Sequence, residues 1–171
     1  SSMYPNFVHK EFVLTNVITY RFEKPARGDI VVFKAPRDKE KAYIKRIIGI
    51  PGDNVSLNNN HFWVNNRPID ESAYLQPEVI TSGGTFLREG QSTIVPQDNY
   101  FVAGDNRSGS ADSREWGFVD KSLIEGKSMF VYWPIANART AKNVIVRAAI
   151  INIFFLFGAF FSSKSAPLRP I

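Results

Sequence analysis

Between Phe12 and Trp133 the apolar residues of this chain come in short runs, each closed within a few residues by glycine, proline, asparagine or aspartate. That punctuation admits many strands and no long helix. Phe12-Val13-Leu14 and residues 30–33 and 43–50 are strand-like, with Arg27-Gly28-Asp29 turning the chain before the second and Pro51-Gly52-Asp53 closing the third. Val55-Ser56-Leu57 and Phe62-Trp63-Val64 are separated by Asn58-Asn59-Asn60 and followed by Asn65-Asn66. Asparagine tolerates the left-handed backbone that tight hairpins require. Thr93-Ile94-Val95 and residues 100–103 flank a turn at 96–99, and residues 129–133 form the last clear strand. Ser82-Gly83-Gly84 breaks the middle, residues 120–124 read as one helical turn, and Lys39-Glu40-Lys41 reads as a solvated loop. The expected fold is all-β, mainly antiparallel, with little helix.

The chain has 171 residues, 44% of them apolar, which is enough for one globular domain with a real core. Its net charge of +5 is spread out, with no dense basic run and no nucleic-acid motif. Nucleic acid is therefore not an expected partner, whereas mild attraction to anionic lipid suits the sign. The absence of cysteine excludes disulfides, thiol catalysis and cysteine-ligated zinc. Residues 148–161 are apolar apart from Asn152, with Arg147 just ahead. A bilayer-spanning helix needs roughly 20 apolar residues, so the segment 141–161 reads as a helix that touches membrane or the protein's own surface. A polar tail with Pro167 and Pro170, residues 162–171, reads as unstructured, leaving 1–140 as the functional domain.

Few side chains offer chemistry. Lys45 lies among Ile44, Ile47 and Ile48, while Arg46 alternates to the opposite strand face. A lysine held in apolar surroundings loses hydration of its charged form, so its pKa falls and it can act as a general base. The same pattern also fits a lysine that snorkels its ammonium to water. Ser2, close to the chain start, is inert unless a base lies beside it. His9 adjoins Lys10 and Glu11, and His61 lies in an asparagine-rich turn; both read as surface residues. A Ser-His-Asp triad and a metal site are thus not expected, nor is any cofactor. A serine hydrolase built from this chain would have to use lysine.

Three stretches then belong together: Ser2-Met3-Tyr4-Pro5, Lys45-Arg46-Ile47-Ile48-Gly49-Ile50-Pro51-Gly52-Asp53, and Gly104-Asp105-Asn106-Arg107-Ser108-Gly109-Ser110-Ala111-Asp112-Ser113-Arg114. Over roughly residues 1–134 they resemble, in order, the motifs of the type I signal peptidases. These are membrane-bound proteases that remove signal peptides from exported proteins. The resemblance implies a Ser/Lys dyad with Ser2 as nucleophile, Lys45 as general base and Ser110 as the serine that orients the lysine. Asp105, Asn106 and Arg107 of the third motif, and the charged pair Asp112 and Arg114, would support the site without joining the chemistry. It implies two partly coiled antiparallel sheet regions, with the site on an edge facing the membrane on its extracytoplasmic side. It also implies cleavage after small-x-small sequences, with Met3, Phe7 and Ile44 as candidate pocket residues and the substrate extended along a strand edge.

Further expectations follow from the resemblance. The Ser2 backbone N–H would hold the oxyanion, and the family's second donor, a serine two positions before the nucleophile, would fall ahead of residue 1. Residue 1 is Ser and not Met, so an N-terminal stretch is expected to have been cut away. Loss of one oxyanion donor costs ~10²–10³ in rate, so this chain is expected to be a weak enzyme. Trp116 would pack beneath the third motif, and Trp63 and Trp133 in the core. Two rival readings stand beside this one: a repressor-type Ser/Lys autoprotease, and a catalytically impaired peptide- or membrane-binding domain on the same scaffold.

Overall fold

The computed structural model describes residues 1–36, 38–133 and 138–140; the expected helix at 141–161 and tail at 162–171 lie outside the described residues. Within them the chain forms strands β1 (Phe12–Asn16), β2 (Ile30–Ala35), β3 (Asp38–Gly49), β4 (Asn54–Asn58), β5 (His61–Val64) and β6 (Arg67–Pro68). There follow β7 (Ser92–Ile94), β8 (Asn99–Ala103), β9 (Val119–Asp120), β10 (Ile124–Trp133) and β11 (Arg139–Thr140). The helices are single turns, α1 (Thr19–Phe22) and α2 (Ser113–Trp116), with 3-10 turns at Arg107–Gly109 and Lys121–Leu123. A seven-stranded sheet runs β1-β10-β2-β3-β8-β9, with β11 also on β10, and a four-stranded sheet runs β6-β5-β4-β7. Every pairing is antiparallel. The all-β reading is borne out.

Period-two alternation explains how the two sheets share a wall. On β3, Ile47 packs with Val31, Phe33, Tyr100, Val102 and Val119, while Ile48 enters a second core with Val55, Leu57, Phe62, Val64, Leu87, Val95, Phe101 and Ala103. On β8, Val102 joins the first core and its neighbours the second. Strands covered on both faces carry near-continuous apolar runs, as 100–103 does and as 43–50 does apart from Lys45 and Arg46. A third, smaller core of Met3, Phe7, Ile30 and Val131 ties the N-terminal segment to β2 and β10. The hairpin β4–β5 turns on Asn59 and Asn60 (φ 52° and 60°), and β5–β6 on Asn65 and Asn66 (φ 52° and 63°), as the asparagine clusters predict.

One expectation fails. Lys39-Glu40-Lys41 is not a loop but the start of β3, where β2 pairs from Ala35↔Asp38 to Ile30↔Arg46. Lys39, Glu40 and Lys41 fall at a register break between Lys34↔Ala42 and Ala35↔Asp38, with their side chains exposed as a solvated stretch would have them. Trp116 packs on the first core, its ring 6.2 Å from Phe33. Trp63 is half-buried with its indole N–H donating to the Asn58 carbonyl at 3.2 Å, and the Trp133 side chain lies outside what is described.

Gly49 sits where the two sheets come together. A Cβ there would lie 2.5 Å from Val55 Cγ2 and 3.0 Å from Val95 Cγ2, closer than packed carbons allow. Gly49→Ala is expected to destabilise the fold by about 1–3 kcal/mol through overpacking, measured as a lower urea midpoint with unchanged m-value.

Candidate active site

The third motif is a polar loop wrapped around its own arginines. Arg46 of β3 is fully buried and donates through Nε and Nη2 to the two oxygens of Asp105, both at 2.8 Å, while Nη1 donates to the Gly28 carbonyl at 2.9 Å. Its guanidinium lies 3.8 Å from the Tyr74 ring centre. Asn6 Nδ2 donates to Asp105 Oδ2 at 2.8 Å and to the Tyr74 carbonyl at 2.9 Å, so one carboxylate joins the N-terminal segment, β3 and the third motif. Arg107 donates to both oxygens of Glu71 and, at 2.6 Å, to Thr81 Oγ1. Arg114 forks onto Asp112 through Nε and Nη2, each at 2.8 Å, and donates to the Arg107 carbonyl at 2.7 Å. Asp112 also accepts from the Gly104 N–H at 2.9 Å.

This scaffold grips the start of the chain by its backbone. The Asn106 N–H donates to the Ser2 carbonyl at 3.0 Å and its side-chain amide to the Ser1 carbonyl at 3.2 Å. Met3, wholly buried, and Phe7 anchor the segment from below in the third core. Ser2 is left half-buried with its hydroxyl 2.5 Å from Lys45 Nζ, which donates to it. Residues 43 positions apart in sequence thus meet side chain to side chain.

Lys45 is 4% exposed. Burial strips water from its ammonium and pushes its pKa down from 10.5 to about 8, with Arg114 adding to the fall and Asp112 and Asp105 opposing it. Roughly one molecule in ten then carries a neutral amine at pH 7, against fewer than about one in a thousand for an ordinary lysine. Of the two states the sequence left open, buried and desolvated is the one observed, not snorkelled.

The Ser110 hydroxyl is buried and has no hydrogen-bond partner among the described residues, so the bond to Lys45 that the resemblance implies is not made here. It lies beside Gly104, where a Cβ would collide with both the Ser110 side chain and the Ser2 carbonyl. Gly104 is therefore glycine because the nucleophile's backbone and Ser110 occupy the space of a side chain. Phe7 and Ile44 line a cleft of 320 Å³ together with Ser2, Lys45, Val13 and Tyr43, whereas Met3 lies in the core beneath it. His9 sits exposed at the cleft rim and His61 is exposed on β5. Among the described residues no cluster of His, Cys, Asp or Glu could hold a metal.

Sequence reasoning missed Arg46, Glu71, Asn6 and Tyr74 as parts of this framework. Arg46 carried a usable signal: a charged residue within a doubly buried strand requires a buried partner. Glu71, Asn6 and Tyr74 carried none, because their roles depend on contacts far along the chain.

The family model described as signal peptidase, peptidase S26, matches residues 1–133. The chain belongs to that family. It is similar to a probable signal peptidase I-2 of Synechocystis, 38% identical over 156 residues that cover 88% of this chain and 67% of that protein. It is also similar to signal peptidase IB of Staphylococcus aureus, 37% identical over 154 residues, 83% of this chain and 78% of that protein. Among solved structures it is similar to a signal peptidase I from Enterococcus faecalis V583, at 30% identity and a TM-score of 0.49, covering 61% of this chain and 97% of that one. The chain is thus a serine endopeptidase of the signal peptidase I type, a family that processes signal peptides of exported preproteins. The family is membrane-associated with an extracytoplasmic catalytic domain; among the described residues no helix is long and apolar enough to cross a membrane.

The depressed Lys45 pKa has a stability consequence. Between pH 8 and 10.5 the unfolded chain holds a proton that the folded chain has released, so stability rises with pH across that window and the full penalty applies below it. Lys45→Met keeps the apolar stem and removes the buried charge. It is expected to raise unfolding free energy by on the order of 2 kcal/mol at pH 7, the gain vanishing as pH approaches 10.5. Urea titrations of both forms at pH 7 and pH 10 measure it.

Proposed function

We propose that this chain cleaves signal peptides by a Ser2/Lys45 dyad at a membrane surface. The observation that carries the reading is the 2.5 Å approach of a desolvated lysine amine to a serine hydroxyl. In the neutral state Lys45 Nζ accepts the Ser2 proton as Ser2 Oγ attacks the scissile carbonyl. The resulting ammonium returns that proton to the departing amine, which leaves as the new N-terminus of the mature protein. Lys45, neutral again, then takes a proton from the water that attacks the acyl-enzyme and passes it to Ser2 Oγ as the acyl–oxygen bond breaks, releasing the signal peptide with a free carboxyl end. The Ser2 N–H stabilises the oxyanion, and Ser110 takes the role of a positioning residue, its spare hydroxyl steadying Lys45 while the amine exchanges protons.

The substrate has a strand to pair with. β8 meets β3 only from Arg46 onward, so residues 42–45 are paired to β2 on one side alone. An extended peptide added along that edge would bring its carbonyl to Ser2 and its alternate side chains into the cleft walled by Phe7, Val13 and Ile44. Apolar, shallow walls favour small side chains at alternate positions, which is the small-x-small pattern. Beside the cleft, Val13 turns inward while Phe12 and Leu14 stand exposed, and Val17, Ile18 and Phe22 extend the exposed apolar surface. That surface suits contact with lipid on the extracytoplasmic side.

A synthetic peptide with an Ala-x-Ala site, presented in detergent micelles, tests the reading. Cleavage after the second alanine is expected, abolished in Ser2→Ala and reduced at least a thousandfold in Lys45→Ala. Undiminished cleavage by Ser2→Ala would contradict the dyad, and tight binding of the peptide without turnover would replace the enzyme with a binding domain.

A further inference from the structure

A second groove, of 710 Å³, opens beside Tyr4 and Pro5 of the nucleophile segment. Its walls are Tyr4 from the N-terminal segment, Asn106 and Ser108 from the third motif, and Glu78, Val79 and Ile80 from the loop ahead of the Ser82-Gly83-Gly84 break. It is a different space from the cleft: Ser1, Ser2, Phe7 and Ile44 line the first, and Tyr4 and Pro5 line the second. The N-terminal segment thus lines both depressions, Ser1 and Ser2 the first and Tyr4 and Pro5 the second, with Met3 buried between them. The two are joined through Asn106, which grips the Ser1 and Ser2 carbonyls while its residue walls the groove.

The groove offers an unusual surface. Tyr4 is 58% exposed and Ile80 61% exposed, although both are large and apolar enough to seek burial. Glu78 is exposed and has no ion-pair or hydrogen-bond partner among the described residues. The other charged residues in the wall, Asp105 and Arg107, are buried and already paired to Arg46 and Glu71. Glu78 thus supplies the groove's only uncompensated charge among the described residues.

We propose that this groove holds the residues following the scissile bond, the first few of the mature protein, and selects among them. The inference rests on the Ser2/Lys45 reading. A substrate whose small side chains fill the first cleft and whose scissile carbonyl lies over Ser2 must continue past the nucleophile segment, and the groove is the depression that Tyr4 and Pro5 of that segment line. Tyr4 and Ile80 give an apolar bed to side chains after the cut. Glu78 favours a basic residue there and disfavours an acidic one.

The test uses two peptides sharing one Ala-x-Ala site, one with lysine and one with glutamate at the third residue after it. A third peptide ends one residue past the site. For the unmodified chain kcat/KM is expected to be roughly threefold to tenfold higher for the lysine peptide, at low salt where exposed charges are least screened. It should fall about tenfold for the short peptide. In Glu78→Lys the lysine-to-glutamate ratio should invert; a ratio within one protein cancels any loss of folded enzyme. Ile80→Ser should narrow the gap between long and short peptides. Equal ratios in the unmodified chain and Glu78→Lys, with no effect of peptide length, would overturn the proposal while leaving the dyad intact. Cleavage that persists in Ser2→Ala would instead overturn the reading beneath it.

Discussion

The ion pair between Arg46 and Asp105 is the contact on which the site depends. Both side chains are wholly buried, so each must satisfy the other or leave an uncompensated charge in the core. The fork geometry leaves one arrangement in which β3, the third motif and, through Asn6, the N-terminal segment all meet. Lys45 is the residue before Arg46 and Gly104 the residue before Asp105. Fixing the pair therefore fixes the base on β3 and, just past the end of β8, the floor beneath the nucleophile. Replacing such a pair by apolar residues can be neutral for stability, so its worth here lies in register and not in strength.

Burial decides the electrostatics of the site. Two carboxylates lie close enough to Lys45 to hold its proton on, and a base next to two free acids would stay charged at neutral pH. Neither acid is free. Asp105 is clamped by Arg46 and Asp112 by Arg114, each through two hydrogen bonds; both still act to hold the lysine's proton, with Arg114 offsetting part of their effect. Burial then wins, and the amine is poised near physiological pH.

Much of this was legible in residue order. Short apolar runs and asparagine turns gave the strands β4, β5 and the hairpins between them, because those pairings are local and turn chemistry is read directly from Asn59-Asn60 and Asn65-Asn66. Motif order pointed to Ser2 and Lys45, whose side chains meet, whereas the Ser110 hydroxyl lies near the Ser2 backbone without a hydrogen bond to the lysine. What stayed hidden depended on distance or on edges. β9 and β6 are two residues long and exist only because a neighbour pairs with them. The charged start of β3 looks like a loop because propensity says nothing of a partner strand. Glu71 lies 36 positions from Arg107, and nothing local marks it as a buried counter-ion. Met3 was expected at a pocket wall and instead packs below it, since motif position does not say which way a side chain points.

The central claim is that the folded protein holds Lys45 as a desolvated amine against Ser2. Its most direct test is the titration of the Lys45 side chain by NMR, with lysine labelled at the ε-carbon and nitrogen and Lys45→Met used to assign the signal. A midpoint near pH 8, returning to the ordinary lysine range when the protein is unfolded in urea, is the predicted result. A midpoint above pH 10 in the folded protein would show a charged, solvated lysine and would contradict the account.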